Sequence, residues 1–160
     1  MSDINTVDLR GFVAGAMDEV FDTMLSMNIE LADEGVQANV DGERIVGSVG
    51  FAGKTVGSVS IQVNEVFARQ ITAAMLGMEE DEIEGDEEIH DVIGELSNIV
   101  GGDLKSRLCG EGLNCDLSIP SIIRGSDFRT ETKGWERHES LVFSHQEQFA
   151  LVNVYVKRNG

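Results

Sequence analysis

Four residues in the run from Glu87 to Cys109 have the types and spacing of a surface that can do chemistry. Asp91, Glu95, Asn98 and Gly102 are separated by four, three and four positions. In a helix, residues at these spacings lie one turn apart on the same face. They form a stripe about 60° wide, which we call the polar stripe.

The opposite side of the same predicted helix is apolar and has to be buried, so the polar stripe has to face outward. Its apolar residues follow the period of a helix, about 100° per residue, and they are Ile89, Val92, Ile93, Leu96, Ile99 and Val100.

Asn98 is the residue of the polar stripe that is least expected in the middle of a helix, because asparagine is a mediocre helix former. Its amide both donates and accepts hydrogen bonds, as holding a water molecule in a fixed direction requires. Glu95, one turn earlier, can pair with a cation on a partner. Gly101 and Gly102, one turn later, let another backbone come close. Residue physics alone leaves two alternatives open. Asn98 can be a surface asparagine beside a glycine kink, and Asp91 with Glu95 can be a solvated face rather than an acid/base pair.

Composition narrows the class of protein and its partners. The chain has 160 residues, of which 41% are hydrophobic, enough for the core of one domain over residues 1–160. A net charge of −17 repels phosphate backbones and anionic membranes, so we expect binding to neither nucleic acid nor membrane. No basic leader or long apolar run is present, and we expect a cytoplasmic protein. Cys109 and Cys115 are too few for a disulfide framework and are predicted to be reduced.

The acidic run Glu79–Glu88 holds eight acids in ten residues. One interpretation is a cation-binding loop, but the alternating acids, the glycine and the final glutamate of an EF-hand are missing. We predict instead a solvated linker whose last acids favour the N-terminus of the next helix. No metal site is predicted in this chain.

The elements that position the polar stripe follow from hydrophobic periodicity and turn residues. A first helix is predicted over Asp8–Met27 and a second over Glu65–Leu76, the latter capped by Asn64 and ended by Gly77. The other predicted elements are a possible strand over Asn28–Gln37, a turn at Asp41-Gly42, a hairpin of Ile45–Phe51 and Thr55–Val63, a strand over Leu113–Ile123 with its end or edge at Pro120, a polar loop over Gly125–Gly134, and a second hairpin of His138–Phe143 and Phe149–Val156.

These elements predict an α+β fold, a two-layer α/β sandwich with long helices on one face of a mostly antiparallel sheet. A helix followed by roughly three strands occurs twice, which gives a weak internal α-β-β-β repeat. The strand Phe149–Val156 looks too apolar for a free sheet edge. We therefore expect a homodimer joined by strand pairing.

The pattern Asp91-x3-Glu95-x2-Asn98, with Pro120 22 positions further on, resembles the signature of the CheC/CheX/FliY phosphatases of bacterial chemotaxis. The resemblance covers nearly the whole chain: an N-terminal helix, a glycine-rich hairpin, a helix ending Ala-Ala-Met-Leu-Gly, an acidic loop and then the signature helix.

The resemblance implies that the chain dephosphorylates the phosphoaspartate of the response regulator CheY. Asn98 then orients the attacking water and Glu95 contacts a CheY lysine, while Asp91, Gly101 and Gly102 belong to the docking face. It implies no cofactor in this chain, because the Mg²⁺ belongs to CheY. It also implies a homodimer with a shared sheet. The competing hypothesis is a module that binds phosphorylated CheY without turnover, or an adaptor of the flagellar-switch type.

The first predicted helix bears on the number of active faces. CheC proteins carry a second Glu-x-x-Asn there, whereas this chain has Glu19-Val-Phe-Asp22. An ionised aspartate only accepts hydrogen bonds and adds negative charge beside a phosphoryl group. We therefore expect one active face per chain, as in CheX-like members of the family.

Overall fold

The computed structural model describes residues 4–32, 43–125 and 134–159. The predicted turn at Asp41-Gly42, the end of the possible strand over Asn28–Gln37 and the interior of the predicted loop Gly125–Gly134 lie outside these ranges. The elements are α1 (Leu9–Leu25), β1 (Glu30–Leu31), β2 (Arg44–Gly53), β3 (Thr55–Asn64), α2 (Glu65–Leu76), α3 (Asp86–Gly110), β4 (Cys115–Leu117), β5 (Ser121–Gly125), β6 (Arg137–His145) and β7 (Gln148–Arg158). In the described part of the chain, no helix is long and apolar enough to cross a membrane.

The seven strands form one sheet in the order β1-β6-β7-β3-β2-β4, with β5 also paired to β2, and the pairings are antiparallel. The last strands of the two halves, β3 and β7, pair at the centre. The early strands are exchanged, because β1 of the first half pairs with β6 and both β4 and β5 pair with β2. The helices cover one face of the sheet, so the predicted α+β sandwich with its internal repeat is confirmed.

The position of β7 corrects the reasoning behind the predicted dimer. β7 contains the apolar segment Phe149–Val156 and is paired on both sides, with β6 and with β3. Its hydrophobic residues reflect a central strand rather than an edge that needs a partner. Within the described residues, the sheet ends at β1 on one side and at β4 and β5 on the other. The homodimer itself stays a prediction.

Local contacts explain where the first two helices begin and where α2 ends. Asp8 caps α1 by accepting a hydrogen bond from the Gly11 amide at 3.0 Å. Asn64 caps α2 by accepting from the Phe67 amide at 2.8 Å. Gly77 ends α2 in the left-handed conformation, with φ of 67°, which glycine adopts without strain. The predicted cap and stop of α2 are confirmed.

α3 lies close to the sheet because small residues meet at two points of contact with β2. A methyl group on Gly47 would overlap Ser97 Oγ, and one on Gly101 would lie 2.5 Å from Val49 Cγ2. Ser97 is 1% exposed, and its hydroxyl donates to the Ile93 carbonyl of its own helix at 2.8 Å. The hydroxyl is thus satisfied within α3, and the helix packs against β2 without a buried unpaired donor.

The acidic linker leads directly into α3, as predicted. Glu80–Glu82 form a single 3-10 turn. Asp86, Glu87 and Glu88 lie in the first turn of α3, where negative charge is favourable next to the positive end of the helix dipole.

Arg124 of β5 holds the start of α3 to the sheet. Its guanidinium binds Glu43 at 2.8 Å and Asp86 at 2.7 Å, and it lies 3.6 Å from Glu65 at the start of α2. The hydrogen bond from Arg124 lowers the pKa of Asp86 below its ordinary value. One cation therefore connects β5, the segment before β2 and the first turns of two helices.

We predict that Arg124→Gln lowers the melting temperature at neutral pH, because three carboxylates lose their shared cation. Pairing lowers the pKa of Asp86 below 3.8, so its stabilisation is present above that value and is lost as the pH falls through the folded-state pKa. Thermal unfolding is followed by circular dichroism at several pH values. The melting temperatures of the wild type and of Arg124→Gln should converge at acid pH. Arg124→Lys keeps the charge without the planar donors, so its melting temperature at neutral pH should lie between those of the wild type and Arg124→Gln. Equal melting temperatures at neutral pH would contradict the prediction.

Candidate functional site

The polar stripe faces outward along α3. Asp91 and Glu95 are exposed, whereas Asn98 and Gly102 are partly buried. The opposite arc packs into the core, where Ile89, Ile93 and Leu96 are 0% exposed and Val100 is 1% exposed, while Ile99 at its margin is partly buried. Burial of that arc fixes the rotation of the helix about its axis, so the direction of Asn98 is set by residues on the far side of α3.

Gly101 does not belong to the outward face, and its predicted place in the docking surface is corrected. It is buried and lies against Val49 of β2, where a Cβ would be too close. Its missing side chain therefore serves the packing of α3 on the sheet. Gly102, the next residue, is partly exposed, and a Cβ there would only touch Leu117 at 3.9 Å.

The functional groups of the polar stripe are not used for contacts within the described part of the chain. No hydrogen bond or ion pair joins the side chains of Asp91, Glu95 and Asn98 to another described residue. Buried polar groups are normally paired, but these are at the surface, so their hydrogen-bonding capacity is available to a partner or to water.

One flank of the polar stripe is formed by the edge of the sheet at β4 and β5. We call the segment from β4 through Pro120 to β5 the edge strand. A Cβ on Gly94 would lie 3.6 Å from Ile122 Cδ1 and 3.9 Å from Pro120 Cγ, so Pro120 and Ile122 pack against α3 at Gly94. Because Gly94 is the residue before Glu95, Pro120 lies immediately beside the polar stripe. Pro120, the proline of the sequence pattern, therefore lies next to the polar stripe although it follows Asn98 by 22 positions in the chain.

The other flank is an open cleft of about 450 Å³ between α1 and α3, lined by Glu19, Gly102, Asp103, Ser106 and Arg107. Arg107 donates to Asp103 at 2.6 Å and to Glu19 at 3.2 Å. The pKa of Glu19 is raised, first by a hydrogen bond with Asp103 and then by the like charge of that carboxylate. The cleft is therefore a charged junction between the two helices.

Glu19 and Asp22, the residues of α1 nearest to a second catalytic pair, are not arranged like Glu95 and Asn98. The Glu19 carboxylate is engaged by Arg107, whose guanidinium also lies where a side chain at Gly15 would project. Asp22 is exposed. The outward face of α1 thus presents a carboxylate where α3 presents an amide.

Among the described residues, no cluster of three or more His, Cys, Asp or Glu side chains has the geometry to hold a metal ion. Cys109 and Cys115 are free thiols. Burial raises the pKa of Cys115 to about 11, which favours the neutral thiol at physiological pH.

A family model described as chemotaxis phosphatase CheX matches residues 45–144, more than half of the chain and the whole of α3. The chain belongs to the CheX family. It is 30% identical over 117 residues to the CheY-P phosphatase CheX of Thermotoga maritima, covering 72% of this chain and 74% of that protein.

Solved structures of CheX proteins share the fold over nearly the whole chain. The chemotaxis protein CheX of Vibrio vulnificus superposes with a TM-score of 0.80 at 24% identity, covering 98% of this chain and 100% of that one. CheX in the CheX-CheY-BeF3-Mg²⁺ complex of Borrelia burgdorferi superposes with a TM-score of 0.76 at 25% identity, covering 95% and 99%.

Two features of the candidate site were not predicted from the sequence. Ser97 and Gly94 pack α3 against β2 and against the edge strand, but small residues in a helix carry no periodic signal that distinguishes packing from a kink. The glycines of the first hairpin did give a signal, because a glycine inside a strand indicates close approach of another element. Gly47 is such a position.

Proposed function

We propose that this chain hydrolyses the phosphoaspartate of a phosphorylated CheY-type response regulator in the cytoplasm. The observation that carries the proposal is an outward amide, Asn98, one turn after an exposed carboxylate, Glu95, on a helix whose opposite face packs on the core. Membership of the CheX family, and the complex of a related CheX with CheY, support the choice of partner.

Asn98 is proposed to orient the attacking water. Its amide accepts a hydrogen bond from water through the carbonyl oxygen, while its NH₂ group can donate to the partner. Hydrolysis of a phosphoryl group depends on placing the nucleophile in line with the phosphorus. A half-buried side chain on a packed helix supplies that geometry before the partner arrives, which reduces the entropic cost of alignment.

Glu95 is proposed to contact a lysine of the partner. An exposed carboxylate makes a charge-assisted hydrogen bond when a cation is brought to it across an interface. The bond fixes how the partner lies along α3 and thus where the phosphorus lies relative to Asn98. Asp91 and Gly102, one turn beyond on either side, complete the docking face.

The chain is proposed to need no metal of its own. The positive charge that stabilises phosphoryl transfer then comes from the Mg²⁺ and the lysine of the partner. A chain with a net charge of −17 contributes orientation rather than charge neutralisation, and an amide is suited to that role.

We predict that Asn98→Ala lowers kcat by about 10²-fold, the usual cost of losing one oriented group in a catalytic site, and changes affinity for the phosphorylated partner much less. Asn98→Asp should be no better, because a carboxylate repels phosphoryl oxygens. Glu95→Ala should chiefly weaken binding. The measurement is phosphate release at saturating phosphorylated response regulator, beside direct binding of the same partner.

Asn114→Ala, which removes an exposed amide beyond the end of α3, is the matched control and should behave like wild type. A folded Asn98→Ala protein that turns over at the wild-type rate would remove the proposed mechanism. A wild-type protein that binds the phosphorylated partner and slows its loss of phosphate would instead be a binding module.

We predict that one face of the chain is active. Asp22→Ala should leave turnover nearly unchanged, because Asp22 cannot supply an amide and the neighbouring Glu19 is engaged by Arg107. Asp22→Asn should not add a second site of comparable rate. Steady-state phosphate release checks both variants, and loss of activity in folded Asp22→Ala would show that α1 takes part.

We also propose a homodimer joined through the edge at β1. This edge lies across the sheet from β4 and β5, so pairing there leaves both polar stripes accessible. Leu31 of β1 and Met24 at the end of α1 are large hydrophobic residues, yet their side chains are 45% and 48% exposed. Burial in a dimer would remove this apolar surface from water.

We predict a mass of twice 17.4 kDa by light scattering at micromolar concentration. Leu31→Lys should shift the protein toward the monomer mass, because a charge on an edge strand opposes pairing. Leu76→Lys is the matched control, since Leu76 of α2 has the same 45% exposure but is not on a sheet edge. A monomeric wild-type protein would refute the dimer.

A further inference from the structure

The edge strand beside the polar stripe contains a β-bulge. β4 pairs Leu117 with Phe51, and β5 pairs Ser121 with Ser48. Between these two pairs the edge strand has one residue more than β2. Bulges of this kind re-aim side chains and are frequent next to active sites.

Ser118 holds the bulge rigidly. Its amide donates to the Gly50 carbonyl at 2.9 Å. Its hydroxyl accepts from the Gly50 amide at 2.8 Å, and also contacts the Ile119 carbonyl at 3.2 Å. Since Ser118 keeps its pairing with Gly50, the extra residue falls at Ile119 and Pro120, opposite Val49.

Ile119 is the most exposed large hydrophobic side chain in the described part of the chain, at 86%. The next residue, Pro120, packs against α3 at Gly94, one position before Glu95. The bulge thus exposes an isoleucine directly before the proline that packs beside the polar stripe. The backbone beneath it is fixed by the three contacts of Ser118 and by the ring of Pro120.

We propose that Ile119 is the apolar anchor by which this chain docks on its partner, the phosphorylated receiver domain. The inference rests on the proposed function. It adds a specific requirement of the partner: an apolar depression beside the lysine and phosphoaspartate that the polar stripe engages.

The composition of the polar stripe and its connection to Ile119 favour the receiver domain as the occupant. The polar stripe offers two carboxylates, an amide and a glycine, and exposed ion pairs contribute little to affinity. A specific interface normally has an apolar residue at its centre with polar groups around it. Ile119 is continuous with the stripe through Pro120 and Gly94, and its fixed backbone reduces the entropy lost on docking.

The test compares Ile119→Ser with Ile123→Ser in the full-length protein. Ile123 lies on the same edge strand, is 55% exposed and is four residues further along. With phosphorylated response regulator as substrate, Ile119→Ser should raise KM and the dissociation constant by about 10- to 100-fold, the usual effect of no longer burying such a side chain. It should leave kcat unchanged. Ile119→Leu should retain the wild-type KM, and Ile123→Ser should change it little.

Because Ile119 is exposed, Ile119→Ser should unfold at the wild-type temperature, which separates docking from folding. An unchanged KM and dissociation constant in Ile119→Ser would overturn the inference. So would a shift from dimer to monomer with unchanged affinity for the response regulator, since that would make a second copy of the chain the occupant. If the wild-type protein binds the phosphorylated response regulator without hydrolysing it, the proposed function fails, and weaker binding by Ile119→Ser still supports the anchor.

Discussion

The close approach of α3 to β2 is the contact on which the candidate site depends. Gly47 and Gly101 leave space for Ser97 and Val49 at two levels along the helix, so α3 lies low on the sheet. A larger residue at either glycine has to push the helix outward or displace a buried neighbour. Interiors are packed too densely to absorb this without a shift. The packing of α3 on β2 therefore determines how deeply Asn98 lies in the surface.

The same packing holds the candidate site in place before any partner binds. A catalytic amide is effective in proportion to how little it must reorganise when the reaction occurs. Asn98 follows a fully buried serine and is itself half-buried, whereas Glu95 and Asp91 are exposed. This gradient suits the two proposed roles. The exposed carboxylate of Glu95 can attract a cation without being held in one position. The Asn98 amide has to be restricted, because it must align a water molecule with the phosphorus.

The order of elements and the outward face of α3 could be predicted from the sequence, because both depend on periodicity and on local caps. Asn64, Gly77 and the arc from Ile89 to Val100 act within a few residues of their own position. Long-range pairing could not be predicted in this way. The apolar strand β7 gives the same sequence pattern whether it is central or at an edge, and its pairing with β3 and β6 depends on segments far away in the chain. Gly101 was misplaced for a related reason: next to Gly102, it differs only by the 100° turn that puts it against Val49.

The internal repeat raises the question of why the proposed chemistry would be confined to one of two equivalent helices. α1 and α3 each precede one half of the sheet, and the exchanged strands make their surroundings alike. The difference lies in a few side chains. Arg107 reaches from α3 across Gly15 and pairs with Glu19, which satisfies on α1 the kind of carboxylate that α3 leaves free. Asp22 then adds a charge where an amide would be needed, in a chain that is already strongly acidic. A symmetrical fold can therefore hold an asymmetrical site, because packing determines where the helices lie and only their outward side chains determine what each can bind.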